Sequence, residues 1–266
     1  MSTPELEAKK KRRIFFCGAL CLLGAYLGYT AARTSVLLKN ANRLIAHAEK
    51  FPREYSVGQK DATKFVCVVL GDSTAVGVGT RRWNESYAFQ LARAASQKRG
   101  AGGVNVRVIN IAVSGAMLNN VLEKQLPKIS KLQPDLIAVS IGANDATHFT
   151  SATQYQKQIA LLIAKLKASK ARVLFANTPD MAQVPALPLP LALAVNQRAK
   201  MQNAILEKSI IGSQIEIVDL FRRGKLVYSQ NPDLYAADFF HPSPQGYEIW
   251  AQLFINRFAK SVEPRA

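Results

Sequence analysis

The chain has 266 residues, of which 48% are hydrophobic, and its mean hydropathy is close to zero. This length suits one α/β domain of roughly 200 residues plus an appendage, and the composition excludes both a disordered chain and a polytopic membrane protein. A total of 35 Lys/Arg against 18 Asp/Glu gives a net charge of +17, but no basic stripe with interleaved aromatics, zinc-finger pattern or RNP pattern goes with it, so nucleic acid is not expected as a partner.

The charge reads as a solvated basic surface, suited to anionic headgroups or wall polymers, together with a topology signal. From Ile14 to Ala32 no residue is charged. As a helix this stretch is about 28 Å long, close to the thickness of a bilayer's hydrocarbon core. Lys9-Lys10-Lys11-Arg12-Arg13 precede it and Arg33 ends it, so the short tail is expected in the cytoplasm and the bulk of the chain across the membrane. The rival reading is a cleaved signal peptide, whose apolar core usually runs only about 7–15 residues.

Arg33 to Phe51 continues a helical pattern, with Val36, Leu37, Leu44 and Ile45 among the basic residues. It reads as a stalk or as a segment lying on the bilayer, ended by Pro52. The expected organisation is a tail at 1–13, a signal anchor at 14–32, a stalk and polar linker at 33–63, a folded domain at 64–260 and a tail at 261–266. Cys17 and Cys21 fall in the apolar span and Cys67 in a predicted strand. Three cysteines cannot all pair and none has metal-ligand spacing, so all three read as buried apolar fillers. No metal or organic cofactor is expected, and the oligomeric state is left open.

From residue 65 onward, short continuous apolar runs alternate with amphipathic stretches. The runs are Phe65–Leu70, Val104–Ile111, Leu136–Ile141, Val173–Ala176 and Ile215–Val218. The stretches are Ser86–Lys98, Leu118–Leu132, Thr153–Lys170, Leu193–Ile210 and Ser243–Phe258. Uninterrupted apolar strands are buried on both faces, and β/α alternation at this spacing implies a parallel sheet of about five strands between two helix layers. Sheets of this kind bind ligands at the carboxyl ends of their strands.

Four motifs lie at such ends or in the last loop. Gly71-Asp72-Ser73-Thr74 puts a serine three residues past the first strand, near a helix N-terminus that favours negative charge. Ser114-Gly115 follows the second strand, and Gly115 can expose its N–H. Gly142-Ala143-Asn144-Asp145 follows the third, and an Asn side chain offers an N–H to a developing oxyanion. Asp238-Phe239-Phe240-His241-Pro242 precedes the final helix. There Asp238 can orient His241, and His241 can take the Ser73 proton. His148, four residues after Asn144, is the competing base. With Asp72 and Asp145 it is assigned to the lining of the substrate pocket. Taken singly, each motif reads as an ordinary turn; the four in this order point to ester hydrolysis.

The four blocks resemble those of the SGNH hydrolase superfamily, the GDSL-type esterases and lipases, over about residues 64–260. The resemblance implies a flavodoxin-like, three-layer α/β/α fold. It implies a triad of Ser73, His241 and Asp238, and an oxyanion hole of the Ser73 and Gly115 N–H groups with the Asn144 side chain. Thr74 stands where the family pattern has Leu, a change that touches local packing only.

The expected reaction is two-step acyl transfer through an acyl-enzyme. A lipid, lysophospholipid or other acyl ester is the expected substrate. An O-acetylated envelope glycan is the alternative, and a catalytically silent, membrane-displayed binding module is the reading from outside enzymology. The Pro-rich apolar segment Val184–Leu191 is a candidate lid or wall for an acyl chain.

Overall fold

The computed structural model describes residues 3–97, 103–228 and 231–260. A single long helix, α1 (Thr3–Ala48), leads into a short strand, β1 (Glu54–Val57). Then follow β2 (Lys64–Gly71), α2 (Ser73–Val76), α3 (Tyr87–Gln97) and β3 (Asn105–Asn110). The next stretch is α4 (Leu118–Asn120), a π-helical turn at Val121–Gln125 and α5 (Leu126–Leu132). The chain continues through β4 (Leu136–Ser140), α6 (Ala143–Thr147), α7 (Ala152–Ala168) and β5 (Arg172–Ala176). It ends with α8 (Leu191–Ser209), β6 (Ile215–Val218), α9 (Leu220–Tyr228) and α10 (Pro244–Lys260).

The sheet has six strands in the order β1-β3-β2-β4-β5-β6. The five predicted runs form its parallel part, and β1 adds an antiparallel edge beside β3. Residues 54–57, expected in a linker, are therefore part of the sheet. Their side chains alternate between exposed and half-buried, as in an edge strand, and the strand is too short to stand out in the sequence.

Successive side chains of a strand point to opposite faces, and the two cores divide accordingly. Cys67 and Val69 pack with α3 and α10 residues such as Leu91, Tyr247 and Phe254. Val68 and Leu70 pack with Val121, Ile159 and Leu162 on the other face. Each fully buried side chain of this size contributes roughly 1.5–3 kcal/mol, so the two faces hold the three-layer fold without staples.

The chain leaves β2 toward β3 on one side, then crosses back to β4 on the other. This reversal opens a crevice at the carboxyl end of β2. Ser73 sits at that end.

Residues 33–48, expected as a helical stalk or a segment on the bilayer, continue α1. From Thr30 onward, α1 loses exposure at Thr30, Arg33, Leu37, Asn40, Ala41, Leu44, Ile45 and Ala48. That spacing of three or four residues is one helical face laid against the domain. Leu44, Ile45 and fully buried Ala48 join the α3–α10 core. The helix ends four residues before Pro52, as the residue type requires. Cys17 and Cys21 are exposed on α1, whereas Cys67 is buried. The tail at 261–266, residues 1–2 and the predicted helix end at Lys98 lie outside the described residues.

Candidate active site

The Ser73 turn is held from every side. The Asp72 carboxylate accepts from the Thr74 N–H at 2.9 Å and its hydroxyl at 2.8 Å, which caps α2. Tyr247 of α10 donates from its hydroxyl to the carbonyls of Thr74 and Val78. Asn110 at the end of β3 donates to the carbonyl of Ala75 at 2.7 Å. Gln125 brackets Gly71, accepting from its N–H at 2.9 Å and donating to its carbonyl at 2.8 Å. Gln125 is buried on the face that also carries Leu118, Val121 and Ile129, and the π-turn inserts it there. Sequence reasoning missed it; the signal was a glutamine at a core position of an amphipathic helix.

The His241 loop folds on itself. Asp238 Oδ1 accepts from the N–H groups of Phe240 and His241, both at 3.0 Å. Between them Phe239 takes φ +54°, a left-handed conformation that costs roughly 1–3 kcal/mol and persists because the neighbouring bonds impose it. Gly79 lets the two loops meet, since a Cβ there would lie 2.1 Å from the Pro242 carbonyl oxygen.

As a result, His241 Nε2 lies 2.8 Å from Ser73 Oγ, and His241 Nδ1 lies 2.5 Å from Asp238 Oδ2. All three residues are buried. A carboxylate only accepts, so Nδ1 carries the proton and Nε2 is left as the acceptor for the serine hydroxyl. Burial alone would raise the Asp238 carboxyl. The hydrogen bond and charge of His241, with the two backbone N–H groups, hold it below its ordinary value. The arrangement can draw a proton from Ser73 and stabilise the imidazolium that results.

Ser73 is the first residue of α2 and Gly115 has φ +78°. Among the described residues, the backbone N–H of neither has an acceptor. The Asn144 amide donates to the Ala116 carbonyl at 2.9 Å, which ties α6 to the Gly115 turn. An amide nitrogen carries two hydrogens, so one remains for a ligand.

Asp72 and Asp145 are buried and bonded within the fold, where they brace the turns that carry Ser73 and Asn144. Asp145 accepts from the Leu118 N–H at 3.0 Å and the Thr150 hydroxyl at 3.3 Å. Burial pushes its carboxyl up to about 6, against those two hydrogen bonds. Burial also raises Asp72, opposed by its bonds from Thr74. His148 is exposed at the end of α6, with Nδ1 2.8 Å from the Asn144 carbonyl oxygen. The imidazole that meets Ser73 is that of His241. A cavity of about 50 Å³ lies beside the turn, lined by Asp72, Thr74, Met181, Tyr228 and Trp250 among others. None of Ser73, His241 and Asn144 lines it, so it is not where an ester would meet the hydroxyl.

Residues 69–249 match the family model described as the GDSL-like lipase/acylhydrolase family. A GDSL-like esterase of Mycobacterium tuberculosis, Rv1075c, is 27% identical over 194 residues, which are 71% of this chain and 60% of that protein. The chain thus spans about 60% of that relative's length. Among solved structures, the psychrotrophic esterase EstA of Pseudoalteromonas aligns with TM-score 0.58 at 16% identity, covering 74% of this chain and 98% of that one. The acetylxylan esterase Axe2 of Geobacillus stearothermophilus aligns with TM-score 0.56 at 18% identity, covering 75% and 96%. At these identities the two structures share the fold.

Proposed function

This chain belongs to the GDSL-like lipase/acylhydrolase family, and on that premise we propose that it hydrolyses carboxylic esters with Ser73 as nucleophile, His241 as base and Asp238 as its orienter. The observation that carries the reading is the run of short contacts from Ser73 Oγ through His241 to Asp238. Ser73 attacks the ester carbonyl while its proton passes to His241 Nε2. The carbonyl oxygen, now negative, is met by the Ser73 and Gly115 N–H groups and the Asn144 amide. His241 returns the proton to the leaving alcohol, and a water activated by the same imidazole then frees the acid from the acyl-enzyme.

The test is turnover of nitrophenyl esters from acetate to palmitate beside an acetylated sugar. Hydrolysis of at least one ester is expected, and none across the whole panel would overturn the reading. Asn144→Ala should lower kcat roughly 10²–10³-fold on the preferred ester, as removal of one oxyanion donor does elsewhere. A long-chain preference supports a lipid or lysophospholipid ester. Preference for the acetylated sugar supports the second reading, a glycan O-acetyl esterase, which the fold shared with an acetylxylan esterase favours.

Among the described residues, one helix is long and apolar enough to cross a membrane or to serve as a signal sequence. We read it as a single-pass signal anchor, with the N-terminus cytoplasmic and the domain outside, because the basic cluster precedes the apolar span. Protease added outside intact cells should then digest the domain, and full protection would reverse this orientation.

A further inference from the structure

Helix α1 is bound to the domain along a straight line of contacts. The Tyr26 hydroxyl donates to the Leu189 carbonyl at 2.7 Å, and the Arg33 guanidinium to the Pro185 carbonyl at 2.6 Å. The Asn40 amide donates to the Ala237 carbonyl at 2.9 Å, and His47 Nε2 lies 2.8 Å from the Arg81 carbonyl oxygen. Positions 26, 33, 40 and 47 are seven apart, so they share one face of the helix with only a slow drift. This face follows the mouth of the crevice. Ala237 precedes Asp238, and the Ala186 N–H donates to the Phe239 carbonyl at 3.0 Å.

Depth follows from the helix rise. Tyr26 is six residues inside the apolar span that ends at Ala32, which is about 9 Å along the axis. Leu189, bonded to Tyr26, is held at that level. A surface element that meets a bilayer buries its apolar face roughly 5–10 Å into the headgroup and acyl boundary. Leu189, Leu191 and Leu193 stand on this part of the rim and are 63%, 40% and 56% exposed. Phe239, two residues before His241, is 40% exposed. Arg33 directly follows the span on α1, at the height of anionic headgroups.

From this we infer that the Leu189–Leu193 rim is a lipid-contacting surface and that the crevice receives its ester from the bilayer to which α1 is anchored. The inference rests on the esterase reading and on the membrane reading of α1, and it goes beyond both. The helix is then more than a tether. Its bonds to Leu189, Pro185 and Ala237 orient the crevice, so an acyl chain can pass from the membrane to Ser73 without crossing water. The rim leucines cover the apolar part of that path, and their burial in lipid removes a cost that exposure to water imposes.

The full chain, reconstituted into phosphatidylcholine–phosphatidylglycerol vesicles, provides the test. Hydrolysis of a fluorogenic diacyl phospholipid embedded in the vesicles is compared with hydrolysis of nitrophenyl acetate in the surrounding water. The triple change Leu189→Glu, Leu191→Glu and Leu193→Glu should slow the embedded ester at least about tenfold and leave nitrophenyl acetate within about twofold. An unchanged rate on the embedded ester overturns the inference. So does a wild-type chain that cleaves nitrophenyl acetate but not the phospholipid. A wild type inactive on both fails the esterase reading instead. A measurement free of turnover covers a variant that does not fold: Leu191→Trp should be quenched by lipids doxyl-labelled on the acyl chain, above the background of Trp83 and Trp250. Quenching no greater than that background overturns the inference.

Discussion

Ser73→Ala should abolish both ester hydrolysis and labelling by a fluorophosphonate probe, with a fall in kcat on the order of 10⁴–10⁶. The hydroxyl is the only atom lost. Alanine suits the first position of α2, and the cap from Asp72 to the Thr74 N–H does not use the Ser73 side chain. The variant should therefore keep its thermal midpoint while losing activity. In the proposed mechanism, no other group can take the place of Oγ. His241 Nε2 meets Ser73 at 2.8 Å, and the loop that carries His241 is locked by bonds at Ala236, Phe240 and His241. A Ser73→Ala protein that still takes up the probe, or still turns over the preferred ester, would place the nucleophile elsewhere.

Asp238→Asn should lower kcat by about 10⁴ with little change in KM, since the orienting carboxylate acts on the imidazole and not on bound substrate. An Asn amide can turn its N–H₂ toward Nδ1. The imidazole then carries its proton on Nε2 and has no lone pair to offer Ser73. The same residue carries a pH signature in stability. Its folded carboxyl is held below the ordinary value, so its contribution is complete above the unfolded value of ~3.9 and is lost as pH falls through the lower folded value. Urea midpoints of the wild type and Asp238→Asn should differ near neutral pH and converge in acid. A constant gap at all pH values would mean that the carboxylate charge adds nothing to the fold.

The two chemical ends of the site were legible for different reasons. Ser73, Asn144 and Gly115 each follow an apolar run, and a strand buried on both faces announces its carboxyl end by the first small or polar residues after it. Asp238 and His241 are three apart, and a short loop can join such a pair without help from distant residues. The braces were not legible. Gln125 reaches Gly71 across 54 residues, and only the π-turn turns its amide toward the strand. Asp72 and Asp145 were assigned to the lining of the substrate pocket, and the partners of their carboxylates were not legible. The structure buries both and satisfies them with N–H and hydroxyl donors.

The strand β1 and the docked face of α1 were also missed. Four residues with alternating exposure are too few for a periodic signal. The face of α1 carries Arg33, Asn40 and His47 where a packed helix usually shows apolar side chains, because it meets the domain through carbonyl oxygens.

Local chemistry, written in neighbouring residues, determined the parallel α/β plan, the apolar span, the order of the four blocks and the Asp238–His241 pair. Whatever joins distant parts of the chain was decided by the tertiary structure: the 168-residue approach of His241 to Ser73, the burial of Asp72 and Asp145, and the line of α1 across the crevice. Periodicity reports which face of an element is buried, but not which partner covers it. That choice is made by packing and by the pairing of buried polar groups, which depend on the whole chain at once.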